Sequence, residues 1–339
     1  MSSQSVVKHF LTEGDKLLVS YWSPLEDQGG YAIAVNYGMS RSDCNMIFVR
    51  IFVLGSLIAR IVFQPIEEIC RVYFSKVLSS TTPEKDSTAN TTPGNSGALD
   101  QASAAVASLL SVQLAFSMLV VTFGSSYLPI VLQLLLPAQY ISTSAPNVLS
   151  AWIYYIPVLA LNGGLEAVYS SVATSQDLRA QSRSVIFPLC RLVLTLCRWM
   201  LTFSVIYILS AAALYNLGFG DTSLVYANIA NLTARIWYTS TFITEYFGKR
   251  MESHSFRLKN MVPSWTFSSM VVLSFFVISR NEARQHIKEE ARHLGHKVLF
   301  STSVLAHVAL GGGLGLVCVG LWWVTEGRRL ITRERIKAE

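Results

Sequence analysis

The chain has 339 residues, of which 51% are hydrophobic and 14% charged, with a mean hydropathy of +0.41. Soluble domains carry about 25% charged residues, so this composition excludes a water-soluble globular protein, and several apolar runs approach the roughly 20 residues that cross a bilayer core. The net charge of +6 does not point to nucleic acid, because the basic residues sit in short loops and the tail, as the cytosolic loops of membrane proteins require.

The N-terminal stretch MSSQSVVKHFLTEGDK lacks the basic head and apolar core of a cleavable signal, so none is expected. A first span over about Val6 to Trp22 contains the polar run TEGDK. Glu13 and Lys16 stand three apart on one helix face and can neutralise each other, as a packed polar interior would favour. The alternative is a helix that starts at the interface, with Thr12 as its cap. A second apolar region, Gly29 to Phe63, is too long for one span. Lifting out residues 39–55, which carry Arg41, Asp43 and Arg50, joins GGYAIAVNYG to SLIARIVF in one span of ordinary length. The stretch 39–55 therefore reads as an insertion, of the kind left by an unspliced intron. Arg60 follows inside an apolar run that breaks at Pro65, and Glu67 and Glu68 come directly after it. A charge at the centre of a lipid-exposed helix costs roughly 2.5–3.5 kcal/mol. Arg60 is then expected to face other helices or a wet cavity, or else to snorkel to the headgroups. These residues, 1–78, make up the first two spans.

Residues 79–103 are rich in Ser, Thr, Pro and Gly without apolar periodicity and read as a flexible cytosolic loop, with an unused sequon at Asn90. Residues 104–324 hold six more spans. The third covers Ala104 to Phe123, followed by a loop with Pro129, Pro137 and Pro146 whose apolar middle is too short to cross. The fourth, Leu149 to Val172, aligns Tyr155, Asn162, Glu166 and Tyr169 in one stripe, with Pro157, Gly163 and Gly164 expected to weaken the helix beside an intramembrane carboxylate. The same stripe could instead serve close helix packing.

The fifth region, Val185 to Leu214, is overlong, and a second insertion is expected up to Arg198, leaving Trp199 to Leu217 as the span. The sixth, Leu224 to Phe247, sets Asn228, Asn231, Arg235 and Tyr238 on one face; Arg235 needs a carboxylate or an anionic ligand, and Glu166 is the natural match. The seventh is Trp265 to Ile278. Residues 281–297 then form a charged surface helix with Ala283, Ile287, Ala291 and Leu294 along one side. Its His286, His293 and His296 read as solvated rather than metal-binding. The eighth span, Val298 to Val324, carries Gly311 to Gly313 for close helix contact, and residues 325–339 are a basic cytosolic tail. Five cysteines (Cys44, Cys70, Cys190, Cys197, Cys318) lie in or beside apolar runs without CxxC spacing and read as free packed thiols. No metal or cofactor is expected. The fold class is an all-α polytopic membrane bundle of about eight spans with both ends cytosolic, since three of the opposite loops hold no Lys or Arg.

Four pieces carry a resemblance: LTEGDKLLVS, the run from Gly55 to Glu68, the Asn-Gly-x-x-Glu-Ala of Asn162 to Ala167, and YANIANLTARIWYTSTFI from Tyr226. Together they resemble the Rft family of endoplasmic-reticulum membrane proteins, associated with translocation of the dolichol-diphosphate-linked oligosaccharide used in N-glycosylation. The resemblance implies the second half of a fourteen-helix, two-bundle exporter fold, and leaves activity without the first bundle open. It places Glu13, Lys16, Arg60, Glu67, Glu68, Asn162, Glu166, Asn231 and Arg235 at a central cavity or its gate. It names the lipid-linked oligosaccharide, membrane lipids and other N-glycosylation machinery as partners. Flipping breaks no bond, so no catalytic residue is expected. The competing reading is a non-transporting scaffold or accessory factor of the same machinery, in which the buried charges are structural pairs. A seven-helix receptor fits the span count poorly, and no His/Asp or nucleophile cluster supports a membrane enzyme.

Overall fold

The computed structural model describes residues 28, 31, 63–79, 94–136, 138–172, 199–250, 261–294 and 301–328. The TEGDK run with Glu13 and Lys16, Arg60, and both expected insertions (39–55 and the stretch up to Arg198) lie outside the described residues.

Helix α1 spans Gln64–Ser79. Pro65 falls in its first turn, where a missing N–H costs nothing, and Glu67 near the start and Lys76 near the end complement the helix dipole. Helix α2 runs unbroken over Gly94–Leu135, 42 residues. At 1.5 Å per residue that is about 63 Å, roughly twice the hydrocarbon thickness. Two expectations are corrected here. Residues 94–103 are helical rather than loop, because Leu99, Ala102 and Val106 are buried against Phe74 and Leu78 of α1; apolar packing outweighs a loop-like composition. The segment after Phe123 also stays helical through Pro129, since Ile130 and Leu132 are buried on it.

A short turn of helix, α3 (Ala138–Ile141), leads into α4, Ala145–Val172, which is continuous through Pro157 and the two glycines. The glycines serve close approach rather than a break. A Cβ on Gly164 would lie 2.5 Å from Gln113 Oε1 of α2. Helix α5 (Trp199–Leu214) ends in a wider π turn over Tyr215–Phe219, where Gly218 takes φ 88° and lets the chain reverse into α6, Thr222–Arg250. Helix α7 covers Trp265–Gln285, beyond the expected Ile278, and ends where His286 turns left-handed at φ 48°. The expected surface helix is therefore divided: residues 281–285 complete α7, and α8 is only Ile287–Leu294. Ile287 does face inward as the pattern suggests, buried with Ile130 and Val304. Helix α9, Thr302–Trp322, is capped by Ser301, whose hydroxyl accepts from Val304 N, and closes in a π turn over Trp323–Gly327.

The bundle is all-helical among the described residues, and α2 is its spine. On one flank α2 packs against α1, α4 and α6, with Leu110, Leu165, Val168, Ile243 and Phe247 in the shared core. On the other it packs against α7 and α9 through Ala115, Phe267, Val271 and Cys318. Among the described residues, four helical stretches are long and apolar enough to cross a membrane: Gly97–Leu134, Ala145–Val172, Thr202–Phe219 and Thr302–Gly327. Helices α6 and α7, at 29 and 21 residues, have the length but are more polar. Outward-facing Leu209, Leu273, Phe276 and Leu316 are well exposed, as side chains against acyl tails would be.

Candidate functional site

Helices α4 and α6 run parallel, with α5 as the return stroke between them. The Ser144 hydroxyl donates to Asp221 Oδ2 (2.6 Å) and ties their starts together. Further along the helices the two polar stripes meet. Glu166 of α4 accepts a hydrogen bond from the Arg235 guanidinium of α6, 69 residues further on. The same separation sets Tyr169 against Tyr238, their rings 5.9 Å apart. Asn162, one turn before Glu166, steadies the carboxylate by donating from Nδ2 to Oε2 at 3.2 Å. Arg235 sits midway along α6, about 20 Å from either end at 1.5 Å per residue. An unpaired guanidinium at that depth would cost several kcal/mol, and the carboxylate removes most of that penalty. Both side chains remain about a quarter exposed, so the pair is reachable.

Helix α1 supplies a second set of charges. Arg71 donates to Glu67 (3.0 Å) and to Glu68 (3.3 Å). Glu67 in turn lies against α4, where a Cβ on Gly163 would meet its Oε2 at 3.5 Å. Glu67 thus sits beside Gly163, on the helix that carries Asn162 and Glu166. Three carboxylates cover two guanidiniums. An anionic ligand would compete with these carboxylates for the N–H groups of the two arginines.

The Rft protein family model matches residues 1–40 and 47–326. The chain belongs to the Rft protein family. Among its relatives, the "Man(5)GlcNAc(2)-PP-dolichol translocation protein RFT1" of Yarrowia lipolytica is 36% identical over 72% of this chain and 31% of its own length. The mouse protein of the same name is 27% identical over 98% of this chain and 51% of its own length. The Saccharomyces cerevisiae protein is 28% identical over 75% and 36%. The chain thus spans about a third to a half of these relatives. No solved structure matches it.

Of the residues expected at the site of this Rft-family chain, the structure joins Asn162, Glu166 and Arg235, and separately joins Glu67 and Glu68 to Arg71, while Asn231 lies one turn before Arg235 on α6; Glu13, Lys16 and Arg60 lie outside the described residues. Sequence reasoning misses Arg71, although its spacing of four and three from Glu67 and Glu68 is the ordinary helical ion-pair signal. It also misses a second polar node, at α2, α7 and α9. His307 is fully buried, takes a 2.8 Å bond between its Nδ1 and Asn281 Nδ2, and accepts at its backbone carbonyl from Tyr127 OH (2.9 Å). His286, by contrast, is exposed and pairs with Glu289 at 3.3 Å. A third node is Glu326, whose carboxylate accepts from Ser111 Oγ (2.6 Å) and from the backbone N–H of Ser264 at the head of α7.

Proposed function

We propose that this chain takes part in moving the dolichol-diphosphate-linked oligosaccharide precursor across the endoplasmic-reticulum membrane for N-glycosylation, with Arg235 as the cation that meets the diphosphate and Glu166 as the group the diphosphate displaces. The observation that carries the proposal is the Glu166–Arg235 pair, mid-helix and partly exposed, in a chain whose relatives are named for translocating that lipid. The chemistry is suited to the task. A polyprenol tail stays in the bilayer, whereas a diphosphate needs a cation at every depth it passes. A guanidinium offers a planar fork matched to phosphate oxygens. Arg71, covered by Glu67 and Glu68, provides a second such station toward α1. The role is transport rather than catalysis, since no bond to the cargo is made or broken.

The test is binding followed by transfer. The full chain in lipid nanodiscs is titrated with a short-chain prenyl diphosphate. Arg235→Gln should weaken binding at least tenfold, and Glu166→Gln, which removes the competitor, should strengthen it. Proteoliposomes are then loaded with a diphosphate-linked chitobiosyl lipid, and its accessibility to an added glycosidase is followed. Transfer that depends on Arg235 supports the proposal. Binding without transfer assigns an accessory role instead, and an unaltered affinity in both variants removes the site.

A further inference from the structure

Asn162 and Asn231 share the sequence separation of two α4–α6 pairs that touch. Glu166 with Arg235 and Tyr169 with Tyr238 are each 69 residues apart; so are Asn162 and Asn231, one helical turn nearer the start of each helix. Asn162 is 6% exposed. Its amide orientation is set by the Glu166 carboxylate, which accepts only from Nδ2. That leaves Asn162 Oδ1 pointing elsewhere, buried and without a hydrogen-bond partner among the described residues, and Asn231 Oδ1 is in the same condition. Two amide oxygens on these packed helices thus lack donors among the described residues. A buried unsatisfied acceptor is unfavourable, and a ligand that donates would relieve it.

The chemistry of the missing partner is constrained. A diphosphate carries only acceptors and cannot satisfy an amide oxygen. A hydroxyl can. We propose that Asn162 and Asn231 form a neutral subsite that takes hydroxyl groups of the sugar linked to the diphosphate, one turn from the arginine that takes the diphosphate itself. This rests on the proposed function above and divides its site into two parts: guanidinium for phosphate, paired amide oxygens for sugar. The spacing agrees, because one turn of helix is about 5.4 Å, the scale of the step from a diphosphate to the ring attached to it.

The experiment compares two probes on the full chain in nanodiscs: a short-chain prenyl diphosphate, and the same lipid bearing one N-acetylglucosamine. The readout is the ratio of the two affinities, which a partly misfolded sample leaves unchanged because both probes lose equally. The unaltered chain should favour the sugar-bearing lipid. Asn162 also supports Glu166, so Asn231 is the deciding position. Asn231→Leu should reduce the ratio roughly fivefold. Asn231→Asp keeps an acceptor oxygen and should retain the ratio while binding both probes more weakly, because its charge repels the diphosphate. A ratio unchanged in Asn231→Leu overturns the subsite, as does a ratio lost in Asn231→Asp. Equal affinities in the unaltered chain overturn the subsite and leave the diphosphate site standing. Failure of both probes to bind overturns the subsite and the proposed function together.

Discussion

Gly311 of α9 faces Tyr127 of α2 so closely that a Cβ at Gly311 would lie 1.9 Å from the phenolic oxygen and 2.3 Å from the ring carbon that bears it. The tyrosine cannot swing aside freely, because its hydroxyl is bonded to the His307 carbonyl and its ring lies 4.9 Å from the imidazole. Gly311→Ala should therefore destabilise the bundle by about 1–3 kcal/mol, the usual cost of overpacking. At Gly312 and Gly313 an added methyl group would have nothing within 4 Å, and alanine there should be neutral or slightly stabilising. Thermal unfolding of the three variants in detergent checks the contrast; equal effects at all three positions would contradict the close contact.

The Glu166–Arg235 pair predicts a charge-swap pattern. Arg235→Leu strands Glu166 beside Asn162, and Glu166→Arg sets two guanidiniums together, so each single change should cost about 2–3 kcal/mol in a partly buried site. Glu166→Arg combined with Arg235→Glu re-forms the pair in reverse and should recover at least half of that loss. A double-mutant cycle on unfolding measures it. A cycle with no coupling would mean that the two side chains do not share one environment.

That pairing is legible in the sequence, and the reason is physical. An intramembrane arginine must find an anion, and Glu166 is the stripe-borne carboxylate available to Arg235. The register that sets Tyr169 on Tyr238 is not legible, because periodicity fixes which face a residue occupies and not which face it meets. Helix α2 is obscured at both ends for a related reason. The run at 94–103 has the composition of a loop, yet Ala102 and Leu99 are buried by partners from α1 that no local pattern reveals. Pro129 suggests a stop, but the apolar residues after it pull the helix onward into the core. The three histidines of residues 281–297 draw attention because they cluster in sequence. His307 stands alone in an apolar run, which is the stronger sign of a buried polar node.

His307 and Asn281 should act as a unit. Each bonds the other's polar atom at the junction of α2, α7 and α9. His307→Leu leaves the Asn281 amide without its partner, and Asn281→Leu leaves the imidazole Nδ1 without a donor, so each should cost about 1–3 kcal/mol. Removing both should cost less than the sum, because the second change deletes an already orphaned group. The measurement is again unfolding in detergent, with the double variant as the deciding sample; strict additivity would show that the two residues stabilise the junction separately.

Glu326 gives the last prediction. It lies in the π turn that ends α9, and its two oxygens accept from two different helices: the Ser111 hydroxyl on α2 and the Ser264 N–H that opens α7. A carboxylate at a helix start satisfies an otherwise orphaned N–H and is favoured by the dipole. Glu326→Ala removes both bonds at once and should destabilise by about 1–3 kcal/mol. Glu326→Gln keeps one acceptor oxygen and should lose less than half as much. Ser111→Ala removes only one of the two bonds and should cost about 1 kcal/mol. Because this side chain anchors α7 at its head, amide exchange at Phe267 to Val271 should rise in Glu326→Ala before it rises in α4 or α6. Uniform loss of protection across the bundle would mean that Glu326 supports the whole fold rather than the α7–α9 hairpin.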